Sequence, residues 1–404
     1  MQTRLTPRHL DTPDGQIADA ILRRCVHCGL CTGVCPTYQL LGDELEGPRG
    51  RIYLMKQWFE GQAVTEKTRL RLDHCLTCRA CETACPSEVE YGKLLDLGRE
   101  ALERQSPRSW FDAGQRGLIR AILPYRSRFA VLFRLARILR PLLPPVLRGK
   151  IPEPAKPGNR PATRHARTVL LAEGCVQPVL NPAINAATAR VLDRLGITAV
   201  QVEGEGCCGA LSHHLAQTDE ARGFMRRNID AWWPHIEAGA EAIVSTASGC
   251  GLMIREYAWA LRHDPDYAAR AERVSGLVRD IGELLADEDL TPVQPVRTGR
   301  IAFHAPCTLQ HGQKQGGVVE TLLTGLGFEL TPIAEAHLCC GSAGTYSLLQ
   351  AAISNRLLTD KLAALTASAP ERIATANIGC LTHLQSASPV PVCHWIELLD
   401  TPAA

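Results

Sequence analysis

Thr168-Val-Leu-Leu-Ala172 is a short unbroken apolar run, the pattern of a strand buried on both faces of a sheet. Arg300-Ile-Ala-Phe-His304 repeats it. Behind each run the apolar positions change to helical spacing, which predicts helices over 183–195 and 318–326. Two later runs, Glu241-Ala-Ile-Val-Ser-Thr246 and Arg372-Ile-Ala-Thr-Ala376, predict further strands, each leading into a Gly-Cys pair. Before residue 106 the periodicity is helical instead. Gly47-Pro-Arg-Gly-Arg-Ile52 opens a segment with Ile52, Met55 and Phe59 on one face, and 94–102 reads the same way. From Phe129 to Arg140, apolar and Arg positions mix at near-helical spacing, and the prolines at 141, 144 and 145 require that helix to end near Arg140.

These patterns divide the chain. A helical domain is expected over 15–105, and a basic helical then Pro-rich connector over 106–165, with Ile151-Pro-Glu-Pro-Ala-Lys-Pro157 as a linker. The remainder is a duplication, 166–295 and 296–400. Cys175, Cys207 and Cys208 are answered 132 residues later by Cys307, Cys339 and Cys340, and Cys250 is answered by Cys380. Strands alternating with helices predict two small α/β lobes facing each other. The fold class is therefore α+β multidomain: a helical two-cluster domain followed by two duplicated α/β lobes.

The helical domain carries the clearest chemistry. Residues 25–36 and 75–86 both read C-x2-C-x2-C-x3-C-P. This is the ligand run of bacterial two-cluster ferredoxins, in which the fourth Cys of each run serves the other cluster. The pattern assigns Cys25, Cys28, Cys31 and Cys85 to one [4Fe–4S] cluster and Cys75, Cys78, Cys81 and Cys35 to a second. Pro36 and Pro86 close the loops. Zinc also takes C-x2-C pairs, but a triple C-x2-C-x2-C followed by C-P is not the habit of closed zinc sites. His27 and Arg79 lie inside the loops, where they can tune potentials.

The lobes hold a second set of cysteines: Cys175, Cys207, Cys208 and Cys250, then Cys307, Cys339, Cys340 and Cys380. Buried free cysteine would account for one adjacent pair. Two pairs in the same register point to a metal or redox centre, a further iron–sulfur cluster in the lobes. Through these residues 168–395 resembles the cysteine-rich CCG family, which includes the catalytic subunit of heterodisulfide reductase and the iron–sulfur subunits of several hydroxy-acid and glycerol-3-phosphate dehydrogenases. The family pattern ends in C-x2-C. Here Ala247-Ser-Gly-Cys250 and Asn377-Ile-Gly-Cys380 lack its first Cys, which argues against disulfide reduction at a five-cysteine cluster. Cys393 reads as core. Gly204-Glu-Gly-Cys-Cys-Gly209 matches G-x-G-x-x-G, but the equivalent loop before Gly341 does not, so a dinucleotide site is not expected. His27, His213, His214, His304 and His337, near the cysteines, read as satisfied loop histidines rather than ligands. No nucleophile triad or carboxylate pair stands out, and no catalytic residue is assigned.

Composition narrows the setting. At 404 residues and 45% hydrophobic content the chain can bury several cores, and its 17 cysteines sit in ligand spacings that suit a reducing compartment. Residues 1–15 lack an apolar signal segment, and no run of 18 apolar residues exists. From Arg104 to Lys150 there are 11 basic residues and one acid, Asp112, in a chain of formal net charge +2. That stretch is either a solvated bridge or a docking surface for anionic lipid or an acidic partner subunit, with 108–150 as the contact. Nothing points to nucleic acid.

Arg24-Cys-Val-His-Cys-Gly-Leu-Cys31 and Asp73-His-Cys-Leu-Thr-Cys-Arg-Ala-Cys81, with the connector and paired lobes, make the whole chain similar to the iron–sulfur subunits of glycolate oxidases. The resemblance implies flavin-bearing partner subunits that oxidise a 2-hydroxy acid, with electrons leaving toward a quinone or other membrane acceptor. It also implies a cytoplasmic location, peripheral on the inner face of the membrane. Alternatives are the same part in a lactate or anaerobic glycerol-3-phosphate dehydrogenase, or a heterodisulfide-reductase-like enzyme.

Overall fold

The computed structural model describes residues 1–142, 156–293, 295 and 298–400. Residues 151–155 of the expected linker and the prolines at 144 and 145 lie outside them. The N-terminal part is helical. Thr12 caps the helix Pro13–Arg24 by accepting from Gly15 N, with Pro13 in the first turn, where its missing N–H costs nothing. This helix packs with Pro48–Phe59 and Tyr91–Gln105 around Leu22, Ile52, Met55, Phe59, Leu94 and Leu95. The helical face read from Ile52, Met55 and Phe59 is thus the buried one.

The basic stretch forms two helices, Trp110–Ile122 and Arg126–Leu139, and a last turn Arg140–Leu142. Its inner arginines are not simply solvated. Arg108 and Arg116 reach Asp73 and Asp112, Arg120 pairs with Glu220, and Arg126 donates to Gly174 O. The outer side leaves Trp110 86%, Leu118 63% and Ile138 71% exposed, with Phe111, Val131, Leu132, Leu135 and Leu139 also exposed. Among the described residues no helix is long and apolar enough to cross a membrane.

Each lobe is a four-stranded parallel sheet, the lobe-one order being β2-β1-β3-β4 and the lobe-two order β6-β5-β7-β8. The strands are β1 (Arg167–Ala172), β2 (Ile197–Val200), β3 (Ile243–Ser245) and β4 (Val278–Asp280), then β5 (Arg300–His304), β6 (Glu329–Leu330), β7 (Arg372–Thr375) and β8 (Val392–His394). Helices Ala183–Arg194, Thr218–Glu237, Val318–Gly325 and Ala351–Thr366 supply crossovers. The strand runs read from sequence are the central strands, β1 with β3 and β5 with β7, which explains their unbroken apolar character. In this order the chain leaves the sheet in opposite directions after β1 and β3. The carboxyl ends of these strands are the usual ligand position in such sheets.

The lobes face each other across one continuous core. Val169, Val244 and Leu285 of lobe one join Ile301, Phe303, Leu323 and Trp395 of lobe two in a single buried cluster. Polar contacts close the seam: Ser248 N donates to Ala376 O, and His394 Nε2 lies 2.8 Å from Thr246 O.

Candidate metal centres

The two ferredoxin-type loops have the same backbone. His27 and Gly29 have positive φ, and so do Thr77 and Arg79, each 50 residues later. Left-handed residues at these places curl the loop so that successive cysteines face one point. At Gly29 the backbone angle (φ +87°) is what favours glycine, and the Arg49 guanidinium packs against the position a Cβ would take. Arg79 has no such freedom, and its left-handed backbone costs about 1 kcal/mol. Its side chain is held by Glu256 of lobe one at 2.5 Å, so the conformation is fixed by docking between domains.

Cys25, Cys28, Cys31 and Cys85 line one pocket, together with Arg49 and Tyr91. Burial and the neighbouring Cys25 push the Cys31 thiol up to about 11. In the other loop, burial and mutual repulsion with Cys35 and Cys75 hold the Cys78 and Cys81 thiols well above their usual value. Crowded thiols of this kind deprotonate together only when a cation shares them, so both sets have the chemistry an iron–sulfur cluster needs. Cys81 also lines the first pocket, so the two sets share a wall.

Residues invisible to motif reading surround the second set. Tyr91 OH donates to Cys75 Sγ at 3.6 Å, and Thr37 Oγ1 lies 3.3 Å from Cys35 Sγ. Arg51 is 1% exposed and pairs with fully buried Glu46 at 2.9 Å. Although burial opposes its charge, Cys75, Tyr91, Cys35 and Glu46 together raise its pKa. A fixed cation is thereby seated against the second set.

Both lobes gather their four cysteines at the carboxyl ends of the strands. In lobe one, the neighbouring Cys207 helps raise the Cys175 thiol, and the neighbouring Cys250 helps raise the Cys208 thiol. In lobe two, Cys307 Sγ and Cys339 Sγ are 3.8 Å apart, and the sulfurs of Cys340 and Cys380 lie within 4.8 Å of each other. The turn after each pair is the same: Gly209 N and Gly341 N donate to Cys207 Sγ and Cys339 Sγ, both at 3.4 Å. At Gly341 (φ +91°) a Cβ would meet Ser354 O at 2.6 Å, and at Gly209 (φ +90°) it would meet Ala221 O at 3.0 Å. The glycine of Cys-Cys-Gly is therefore needed for both its backbone angle and its closeness to the next helix.

Lobe two also touches the ferredoxin-type loops. Leu76 and Cys78 pack with Cys307, Cys339 and Tyr346, and Tyr346 OH donates to His74 O. Lobe one instead packs Cys175 and Cys207 against Phe224 and Tyr125 of the basic connector.

The remaining candidates separate cleanly. His213 lies 3.1 Å from Asp96, a contact to the helix Tyr91–Gln105, and burial lowers His214 to about 3. His337 lies 3.5 Å from Glu335. His27 stacks edge-on with Tyr53, and its Nε2 is buried without a hydrogen-bond partner. His27, His214 and His304 all depart from the expectation of satisfied histidines, each with a buried ring nitrogen that has no hydrogen-bond partner among the described residues. For His304 that nitrogen is Nε2, and the donor atoms of His304, Cys340 and Cys380 all lie within 4.8 Å of one another. Cys393 Sγ contacts Ile373 O. The Gly204–Gly209 loop is committed elsewhere: Gly206 N donates to Asn228, and a Cβ at Gly206 would lie 2.0 Å from Arg227.

The 4Fe-4S dicluster domain family matches residues 21–89, and the cysteine-rich domain family matches 169–255 and 301–385. A glycolate oxidase iron-sulfur subunit of Escherichia coli (strain K12) is 52% identical over 401 residues, covering 99% of this chain and 98% of that one. The chain belongs to the glycolate oxidase iron–sulfur subunit family. It is an electron-transfer iron–sulfur subunit. A probable glycolate oxidase iron-sulfur subunit of Bacillus subtilis (strain 168) is 29% identical over 90% of this chain and 88% of that one. Lactate utilization protein A of Bacillus licheniformis is 26% identical, over 56% of this chain and 96% of its own length. The family assignment fits both halves of the geometry, the paired thiol loops and the two cysteine-rich lobes.

Proposed function

We propose that this chain carries electrons from a flavin-bearing partner subunit that oxidises glycolate toward a quinone or other membrane acceptor. An iron–sulfur cluster, when bound, supplies one-electron acceptance and release. Cys25, Cys28, Cys31 and Cys85 would hold one [4Fe–4S] cluster, and Cys35, Cys75, Cys78 and Cys81 the second. The lobe-two thiols would hold a further cluster. The observation that carries this reading is spatial. The first set shares Cys81 as a wall with the second, and Cys78 of the second packs against Cys307 and Cys339. Around them the chain donates a hydrogen bond from Tyr91 to Cys75 and seats Arg51. The 52% identity to a glycolate oxidase subunit favours glycolate over lactate as the donor's substrate.

The basic connector is the proposed membrane contact, placing the chain on the inner face of the cytoplasmic membrane. Exposed Trp110, Phe111, Leu132, Leu135 and Ile138 beside Arg134 and Arg137 make an apolar face with a cationic rim, the pattern that binds anionic lipid interfaces.

The test is anaerobic iron and sulfide analysis of the purified complex, followed by glycolate addition under reduced-state EPR. About 12 iron atoms per chain and cluster signals that appear with glycolate are expected. About 8 iron atoms would leave the lobes as scaffold. Full turnover to an artificial quinone by a Cys81→Ser variant would overturn the relay.

A further inference from the structure

His304 ends β5 with its side chain 2% exposed. Its Nε2 finds no hydrogen-bond partner among the described residues, although a buried polar atom left unpaired costs about 1–3 kcal/mol. Sulfur lies beside the ring. The His304 donor atom and the thiols of Cys340 and Cys380 all lie within 4.8 Å of one another. Cys340 follows Cys339 directly in the chain, and Cys339 Sγ lies 3.8 Å from Cys307 Sγ, so the five donors sit in one group.

Two comparisons inside the molecule give this placement meaning. The register of the duplication puts Ala172 of lobe one where lobe two has His304, each three residues before the first thiol of its lobe. Lobe one therefore has four thiols and no imidazole at that position. In lobe two, Asn377 stands where the C-x2-C pattern would place a fifth cysteine, and its side chain caps the following helix by accepting from Gly379 N. The donor missing from the loop after β7 is present on the neighbouring strand β5, which pairs with it through His304 and Thr375.

We propose that His304 is a nitrogen ligand of the lobe-two centre, joining Cys307, Cys339, Cys340 and Cys380 in a mixed His/Cys site for an iron–sulfur cluster. Five donors exceed the four of a closed zinc site. A neutral nitrogen in place of a thiolate leaves the centre less negative and raises its potential, as histidine ligation does elsewhere. Lobe two, against the second ferredoxin-type set, would then be the favoured resting place for an electron. This inference rests on the iron–sulfur reading of lobe two.

The experiment is pulsed EPR on the reduced, anaerobically purified full chain, grown once with natural and once with ¹⁵N-labelled histidine. The expected result is a nitrogen coupling that changes with the label, vanishes completely in His304→Cys and is accompanied there by unchanged iron content and a lower potential. The labelled wild type needs no variant to fold, so an absent coupling by itself overturns the ligand assignment. A coupling that persists in His304→Cys also overturns it. Iron content equal in wild type and Cys340→Ser, or stoichiometric zinc, would instead defeat the iron–sulfur reading of lobe two.

Discussion

Lobe one and lobe two share a strand order, a Cys-Cys-Gly turn and four thiols, yet they differ in the charge placed beside those thiols. In lobe two, Lys361 is buried and donates to Glu335 O at 2.9 Å, close to Cys339, Cys340 and Cys307. Counted from the residue that meets the turn glycine, Ser354 or Ala221, the matching position in lobe one is Asn228. Asn228 does a similar mechanical job without charge, donating to Cys207 O at 2.9 Å. The acids near the lobe-one thiols in sequence do not supply an opposite charge: Glu173 pairs with Arg126 and Arg160, and burial raises Glu205 to about 7. Duplication has kept the geometry and redistributed the charge. Charge near a cluster is one of the main protein controls on its potential.

The sharpest way to break this comparison is to delete one thiol from each lobe. Cys340→Ser is expected to abolish electron delivery to an artificial quinone, while Cys208→Ser lowers it by less than about tenfold, as for a residue outside the main path. Equal losses would put both lobes on the path. The next largest effect concerns the buried cations. Arg51→Met leaves Glu46 charged, buried and deprived of one partner, and urea unfolding should show a loss of about 3–5 kcal/mol. Lys361→Met removes a cation whose partners are carbonyls, so the expected change is a smaller stability loss and a lower potential for the lobe-two centre in a redox titration. Asn228→Met should leave that potential unmoved.

The final strands offer a pH test. Asp280 ends β4 and His394 ends β8, and each caps the helix that follows. Burial raises the Asp280 carboxyl to about 7, against Arg255 and the Gly282 amide and with Glu283 beside it. Its contribution is complete below the unfolded value near 3.8 and is lost as pH rises through 7. Burial lowers His394 to about 4, so its contribution is present above the unfolded value near 6.5 and is lost as pH falls through 4. Each effect is of order 3 kcal/mol. Amide exchange should therefore quicken at β4 toward alkaline pH and at β8 toward acid. The smallest effect is at the surface. Changing Arg134 and Arg137 to Gln should weaken binding to anionic vesicles by about 1 kcal/mol per charge and leave the iron content unchanged. Unchanged binding at low salt would give the exposed face to a partner subunit instead.

Much of this was legible in the sequence. The two thiol loops, the duplication and the four central strands are local patterns, and each appears where its period and spacing put it. The charge asymmetry was not legible. Lys361 reads as an ordinary surface charge on an apolar helix, and only packing shows it buried. Arg51, Glu46 and Thr37 are brought together by tertiary folding with no motif to announce them. His304 looked like any loop histidine, because its unpartnered nitrogen becomes visible only when β5 and β7 lie side by side.

The core shared by the lobes has a consequence for inheritance. Two copies of a gene segment usually leave two units that can be lost, swapped or expressed alone. Here Ile301 and Trp395 are filling for the same interior as Val169 and Leu285. Neither copy can be cut away without opening the other to water. The pair has become one cooperative unit, so damage to either half is felt by the whole, and the two must from now on evolve together.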